Sequence, residues 1–207
     1  MSRSASARLG PAHRPSRRAE IITAAIAEFG SAESLEAVSV PQVIARTGMG
    51  MSAFYYHFAS IDEVLEVVVD ELFAGVAARF AVQPGEESIA AWAAGAVGRQ
   101  VRWLGEHRAE TRLLVVFSNG SLGGPTVLTA VHDGMTRTVV PISGSLRDMS
   151  PSLPVLEAEV VSRALVSLVI ELADAALDPE LDPATGLDSL ATAAEIIALR
   201  LVTDADG

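Results

Sequence analysis

Between residues 39 and 60 the chain gathers hydroxyl, amide, phenol and imidazole groups: Ser39, Gln42, Ser52, Tyr55, Tyr56, His57 and Ser60, with Met51 among them. Such groups can donate to phosphate oxygens and can donate to or accept from base edges. Catalytic patterns are missing from the sequence. There is no Cys, which removes disulfides, thiolate metal sites and Cys nucleophiles together. His132 and Asp133 are neighbours and so do not share a helix face. The stretch Gly120-Ser-Leu-Gly-Gly124 lacks the strand and the Lys of a phosphate-binding loop. No nucleophile–base spacing, metal-ligand pattern or cofactor motif stands out. The expectation is a binding protein with no cofactor, no metal and no enzymatic activity.

Those polar groups need elements to aim them. Ser16 can cap a first helix whose apolar stripe is Ile22, Ala25, Ile26 and Phe29, with Gly30 as its stop. Ser39 opens a second, short helix. Pro41 suits its first turn, and Gln42, three residues on, can complete a capping box. Gly48 can take the left-handed conformation that ends a helix. A third helix runs from about Gly50 to Phe58, with Phe54 and Phe58 on its hidden face. Met51, Ser52, Tyr55, Tyr56 and His57 are then left to point outward or sideways. Two short helices joined at a glycine turn form a helix-turn-helix, with Ala45 small enough for the crossing. The second of them fits the major groove of B-DNA.

Charge is distributed to match. The formal net charge is -11, which by itself opposes nucleic-acid binding. Residues 1–60, however, carry six Arg against four acidic residues, and 61–207 carry nine Arg against 22. The first 18 residues hold five Arg and no acid. Any DNA contact must come from the N-terminal end. Lys is absent, so Arg supplies every fixed positive side chain. No run of about 18 uncharged apolar residues is present, so no membrane span is expected, and the N-terminus does not read as a signal peptide. The expected location is cytoplasmic.

The strings Arg18-Ala-Glu-Ile-Ile-Thr-Ala-Ala-Ile-Ala-Glu-Phe-Gly30, Ser39-Val-Pro-Gln-Val-Ile-Ala45, Thr47-Gly-Met-Gly-Met-Ser-Ala-Phe-Tyr-Tyr-His-Phe58 and Ser60-Ile-Asp closely resemble the DNA-binding domain of the tetracycline-repressor (TetR) family. The resemblance covers roughly residues 16–72, and Phe54-Tyr55-x-His57-Phe58 is its most diagnostic part. It implies that Ser39 and Tyr55 contact phosphate and that His57 contacts phosphate or a base edge. Gln42, Met51, Ser52 and Tyr56 would lie at the groove. It also implies double-stranded operator DNA and a small-molecule effector as partners, and a homodimer built on the last two long helices. The sequence departs from the family pattern at Gly50, Met51, Ala53 and Ile61, each change removing a hydrogen bond or a charge from the DNA face. Met51, Ala53 and Ile61 motivate an alternative, a helical adaptor of the same fold that no longer binds DNA.

The expected organisation is all-α: a flexible basic arm over 1–15, a helix-turn-helix domain over 16–60, and a larger helical ligand-binding and dimerisation domain over 61–207. The later helices are expected at about 60–81, 87–107, 109–118, 125–147, 154–177 and 184–203, broken at Gly and Pro clusters. Trp92, Trp103, Phe117, His132 and Met135 are weak candidates for a ligand pocket, since apolar residues mostly fill space. Arg102, Arg112 and Arg137 could anchor an anion, with surface pairing as the simpler role. Positions 156, 160, 164, 165, 168, 172 and 176, with Leu190, Ala194, Ile197 and Leu201, can form either a four-helix dimer bundle or an intramolecular core. A largely apolar effector that releases a repressor from a palindromic site is the functional expectation.

Overall fold

The computed structural model describes residues 16–118, 125–182 and 185–203, and these contain helices and no strand. The arm expected over 1–15 and the Gly120–Gly124 loop lie outside the described residues. Helix α1 spans Arg17–Ser31, α2 Val40–Thr47, α3 Met51–His57 and α4 Ile61–Arg79. A 3₁₀ turn, Leu35–Ala37, joins α1 to α2. Then follow α5 (Ile89–Glu106), α6 (Arg108–Ser118), α7 (Pro125–Met149), α8 (Val155–Ala176) and α9 (Gly186–Thr203).

Local chemistry starts several of these helices. The hydroxyls of Ser16, Ser60 and Ser88 accept from the N–H groups of Ala19, Glu63 and Ala91 at 3.1–3.2 Å, satisfying donors that a first turn leaves orphaned. Glu63 reaches back to the Ala59 N–H at 2.6 Å. Gly30 plays a different part from the helix stop expected of it. It is buried inside α1, and a Cβ there would stand 2.7 Å from the Cβ of Ala109. Its missing side chain is what lets α6 seat on α1.

In the body, α4 lies along α7, α5 along α9, and α8 touches α5, α6, α7 and α9. Burial divides α8 and α9 between two duties. Leu165, Leu172, Ala176 and Ala194 are buried in the chain's own core, whereas Leu156, Val160, Ile196 and Ile197 are exposed. The stripe read from the sequence therefore splits: a helix packed on one face leaves only its other face free for a second copy.

Polar groups inside the body are tied down, apart from Arg79 Nη2, which is buried without a hydrogen-bond partner. Trp92 is fully buried and donates from its indole to the Phe80 carbonyl at 2.7 Å. Gln100, also fully buried, donates to the Val76 carbonyl at 2.8 Å and accepts from Arg79 at 2.9 Å. The Arg79 guanidinium lies 3.8 Å over the Trp103 ring, and burial lowers its pKa to about 10; it stays charged at neutral pH. Arg99 holds the turn after α4 by donating to the Arg79 and Ala81 carbonyls and to Glu86.

Burial by itself would raise the pKa of Glu86. The hydrogen bonds from Arg99 and the Gln83 N–H, with the charge of Arg99, outweigh it and hold the group below its ordinary 4.5. A carboxyl whose folded pKa is depressed stabilises the fold above its unfolded pKa and loses that contribution as pH falls through the folded value. Urea midpoints of the wild type should therefore drop through this acid window. Glu86→Gln should lower stability at neutral pH and flatten the acid limb. A variant with an unchanged limb would show that the Glu86–Arg99 contact is not coupled to folding.

Candidate nucleic-acid interface

Helices α1, α2 and α3 form a small unit around Ile21, Ala25, Phe29, Val43, Ile44, Phe54 and Phe58, all buried. Within α3 the period is clean. Phe54 and Phe58 face inward with ring centroids 5.8 Å apart. Met51, Ser52, Tyr55 and Tyr56 are exposed, the last at 84%. Tyr55 meets the edge of Phe54 at 5.4 Å, so its ring is braced while its hydroxyl end stays in solvent. Tyr56 meets the half-buried His57 ring edge-on at 4.9 Å. A helix showing one methionine, one hydroxyl and two phenols on a convex face can present them to a groove.

The turn before α3 is held in two ways. Gly48 sits at φ 68°, ψ 10°, in the left-handed region. The Thr47 hydroxyl donates to the Ile44 carbonyl at 2.9 Å and accepts the Met49 N–H at 3.1 Å. Nothing stands within 4 Å of a Cβ at Gly48, so only backbone strain penalises a side chain there. Gly48→Ala should cost about 1–2 kcal/mol, and Gly48→Asn less, because Asn tolerates that region. Chemical denaturation of both variants checks the order. Equal stabilities would show that the turn relaxes to another conformation.

Gln42 serves its own helix first. Its carboxamide oxygen accepts from the Ser39 N–H at 2.8 Å and from the Ser39 hydroxyl at 2.5 Å. The Ser39 hydroxyl is thus turned onto Gln42, and Gln42 offers outward mainly its NH₂ group. Gly50 begins α3 without any side-chain cap. Ile61, at the start of α4, packs on the core, as an apolar residue beside Phe58 would.

Three contacts escape a sequence reading. Arg18 lies 5.0 Å over the Phe58 ring, so one of the N-terminal positive charges also braces the recognition unit. Arg46 pairs with Glu28, joining α2 to α1, and adds little free positive charge. Arg137 pairs with Asp70, joining α7 to α4. These partners are 40, 18 and 67 positions apart in the chain, and no local signal marks them.

The weak ligand candidates are scattered. Trp92 and Phe117 are buried, Trp103 is half-buried and stacked on His107, Met135 is half-buried and His132 exposed. None of them lines the cleft between α4 and α7. That cleft has a volume of about 610 Å³, with Phe73, Ala77, Ala81, Pro141 and Ile142 among its walls and Asp70, Arg137, Thr138 and Ser145 as its polar groups.

A compact three-helix unit with an exposed third helix, continued through α4 into a larger helical body, has the architecture of a helix-turn-helix domain joined to a helical body. Residues 21–68 match the family described as bacterial regulatory proteins, tetR family, so the chain carries that family's N-terminal domain. No curated protein matches the chain. Solved structures share its fold over nearly its whole length. A transcriptional regulator from Rhodococcus sp. Rha1 is 22% identical, with a TM-score of 0.71 over 93% of this chain and 99% of its own. GusR of Salmonella enterica is 15% identical, with a TM-score of 0.71 over 90% of this chain and 95% of its own. A fatty acid degradation regulator, FadR from Bacillus halodurans, is 11% identical, with a TM-score of 0.67 over 91% of this chain and 97% of its own. No helix among the described residues is long and apolar enough to cross a membrane.

Proposed function

We propose that this regulator is a dimeric repressor that holds palindromic operator DNA and lets go when a largely apolar small molecule binds its body. The observation that carries the DNA half is the face of α3: Met51, Ser52, Tyr55 and Tyr56 exposed on a helix anchored by Phe54 and Phe58. Ser39, Gln42 and His57 flank that face. Tyr55, half-exposed and braced on Phe54, suits a phosphate contact; Ser52 and Tyr56 suit base reading. The exposed Leu156, Val160, Ile196 and Ile197 on α8 and α9 support a two-fold interface between copies.

The effector half rests on the α4–α7 cleft, whose size falls in the range of small-molecule sites. The two helices touch closely where a Cβ on Gly134 would meet Phe73 at 2.6 Å. There Thr138 also donates to the Phe73 carbonyl at 3.1 Å. A ligand wedged into the open part pushes on α4. That helix has 19 residues, roughly 30 Å at 1.5 Å per residue, and no Gly or Pro before Gly75, so little of the motion is absorbed. Recognition helices must sit about 34–36 Å apart to read one face of DNA, and a shift of a few ångströms breaks the register.

The test is fluorescence anisotropy on the gene's own upstream DNA with a random-sequence selection beside it. Tyr55→Phe should weaken binding evenly across sequences, by about 1 kcal/mol for one hydrogen bond, while Ser52→Ala and Tyr56→Ala should change the selected sequence. Ala77→Phe, which fills the cleft, should leave operator binding intact and abolish the response to effector. By linkage, operator and effector must weaken each other by one common factor. A wild-type protein indifferent to every DNA sequence and to salt would instead favour an adaptor without DNA binding.

A further inference from the structure

A second cavity, of about 560 Å³, lies on the seam between the helix-turn-helix unit and the body. Its walls come from α1 (Gly30), α2 (Arg46), α6 (Arg108, Ala109, Arg112) and the end of α8 (Leu177). Three arginines and no acidic residue line it, in a chain whose net charge is -11. Arg46 is bound to Glu28 through its Nε, which leaves its two terminal nitrogens for another acceptor. Arg112 donates from one nitrogen to the Ala32 carbonyl at 3.2 Å, which leaves the rest of its fork free for another acceptor. Arg108 is exposed, with no ion pair or side-chain hydrogen bond among the described residues. It also begins α6, an 11-residue helix, so the positive end of that dipole adds to the same field.

We propose that this seam is an anion site, separate from the α4–α7 cleft, for a small phosphorylated molecule. Arg108 and Arg112 have no carboxylate partner among the described residues and repel each other across the cavity wall, and a bound anion offsets that repulsion. The cavity's guanidinium groups come from two helices, α2 and α6. A phosphate group offers several acceptor oxygens around one centre, which suits them better than the two coplanar oxygens of a carboxylate. The cavity is of small-molecule size and leaves room for a group attached to the phosphate.

The site also has a consequence for regulation. Arg46 belongs to the DNA-binding unit, and Arg108 and Arg112 belong to the body. An anion held by all three ties the two parts together beside the Gly30–Ala109 contact, where Ala109 seats against the bare backbone of Gly30. Occupation therefore changes the freedom of the recognition helices, and operator and anion affinities must be coupled in both directions.

Inorganic pyrophosphate serves as the probe, titrated into the full-length protein at constant ionic strength set with sodium chloride. The wild type should show a saturable rise in Tm and a change in operator affinity of about fivefold or more. Arg108→Gln with Arg112→Gln should lose both responses. Arg102→Gln, which removes an exposed arginine of α5 elsewhere on the body, should keep them. If the double variant melts well below the wild type without pyrophosphate, Arg108→Gln alone, an exposed change, replaces it. A wild-type response that does not saturate, or one equal in the double variant, would overturn the site. Saturable binding with unchanged operator affinity would overturn the coupling. A double variant with weaker operator binding and a shallower salt slope in the absence of pyrophosphate would assign these arginines to the DNA backbone instead.

Discussion

Leu156→Glu combined with Ile197→Glu should convert the protein to a monomer and lower operator affinity by about 10²–10⁴-fold. Leu156 is 71% exposed and Ile197 47% exposed, so neither change empties the chain's own core, and helix content should be preserved. Two-fold assembly would bring each new carboxylate against apolar surface or against its own copy, and burying an unpaired charge is prohibitive. The loss in affinity follows from valency. A dimer binds its second half-site at an effective concentration in the millimolar range, and a monomer forfeits that gain without losing any contact at the first half-site. Sedimentation at micromolar concentration gives the mass, and anisotropy on a full palindrome and on a single half-site gives the two affinities. A variant that remains dimeric would place the interface elsewhere on the body. The exposed α7 face around Val140 would then be the next surface to alter. A monomer with undiminished affinity would remove the palindromic reading of the operator.

Phe54→Ala should abolish operator binding at physiological temperature. Phe54 has no exposure and contacts both Phe58 and Tyr55. Removing a buried Phe side chain typically costs about 3–5 kcal/mol, against a total stability of about 5–15 kcal/mol for a domain. In a unit of three helices there are few other contacts to hold α3, so its rotation and register should be lost before the body melts. The expected signature is an early unfolding transition, with the body's helices surviving to a higher temperature. Phe54→Leu keeps much of the volume and should retain most of the affinity. Wild-type melting and binding in Phe54→Ala would mean that another face of α3 packs inward, and the assignment of Ser52, Tyr55 and Tyr56 to DNA would fall with it.

Much of this protein is decided within a few residues of chain. Hydroxyls at Ser16, Ser60 and Ser88 start helices because the N–H donors they accept from lie three residues away, whatever the rest of the fold does. Gly48 ends α2 because the left-handed conformation is nearly free only for glycine. The rotation of α3 is equally local: Phe54 and Phe58, four apart, must share one face, and Met51, Ser52, Tyr55 and Tyr56 are exposed as a result. For these reasons the exposed face of α3 is legible in the sequence.

Contacts between distant segments are another matter. Gly30 reads as a helix stop, and only the approach of Ala109 shows why a side chain is excluded there. Apolar periodicity on α8 and α9 announces burial but not by what; Leu165 and Ala194 turn inward while Leu156 and Ile197 stay free, because the neighbours of a helix set which face is covered. The α4–α7 cleft depends on where two helices diverge, a matter of crossing angle that no single segment encodes. The same holds for Arg46, Arg108 and Arg112. They are ordinary surface charges along the chain, and they become a cluster only because α1 and α2 dock where α6 begins.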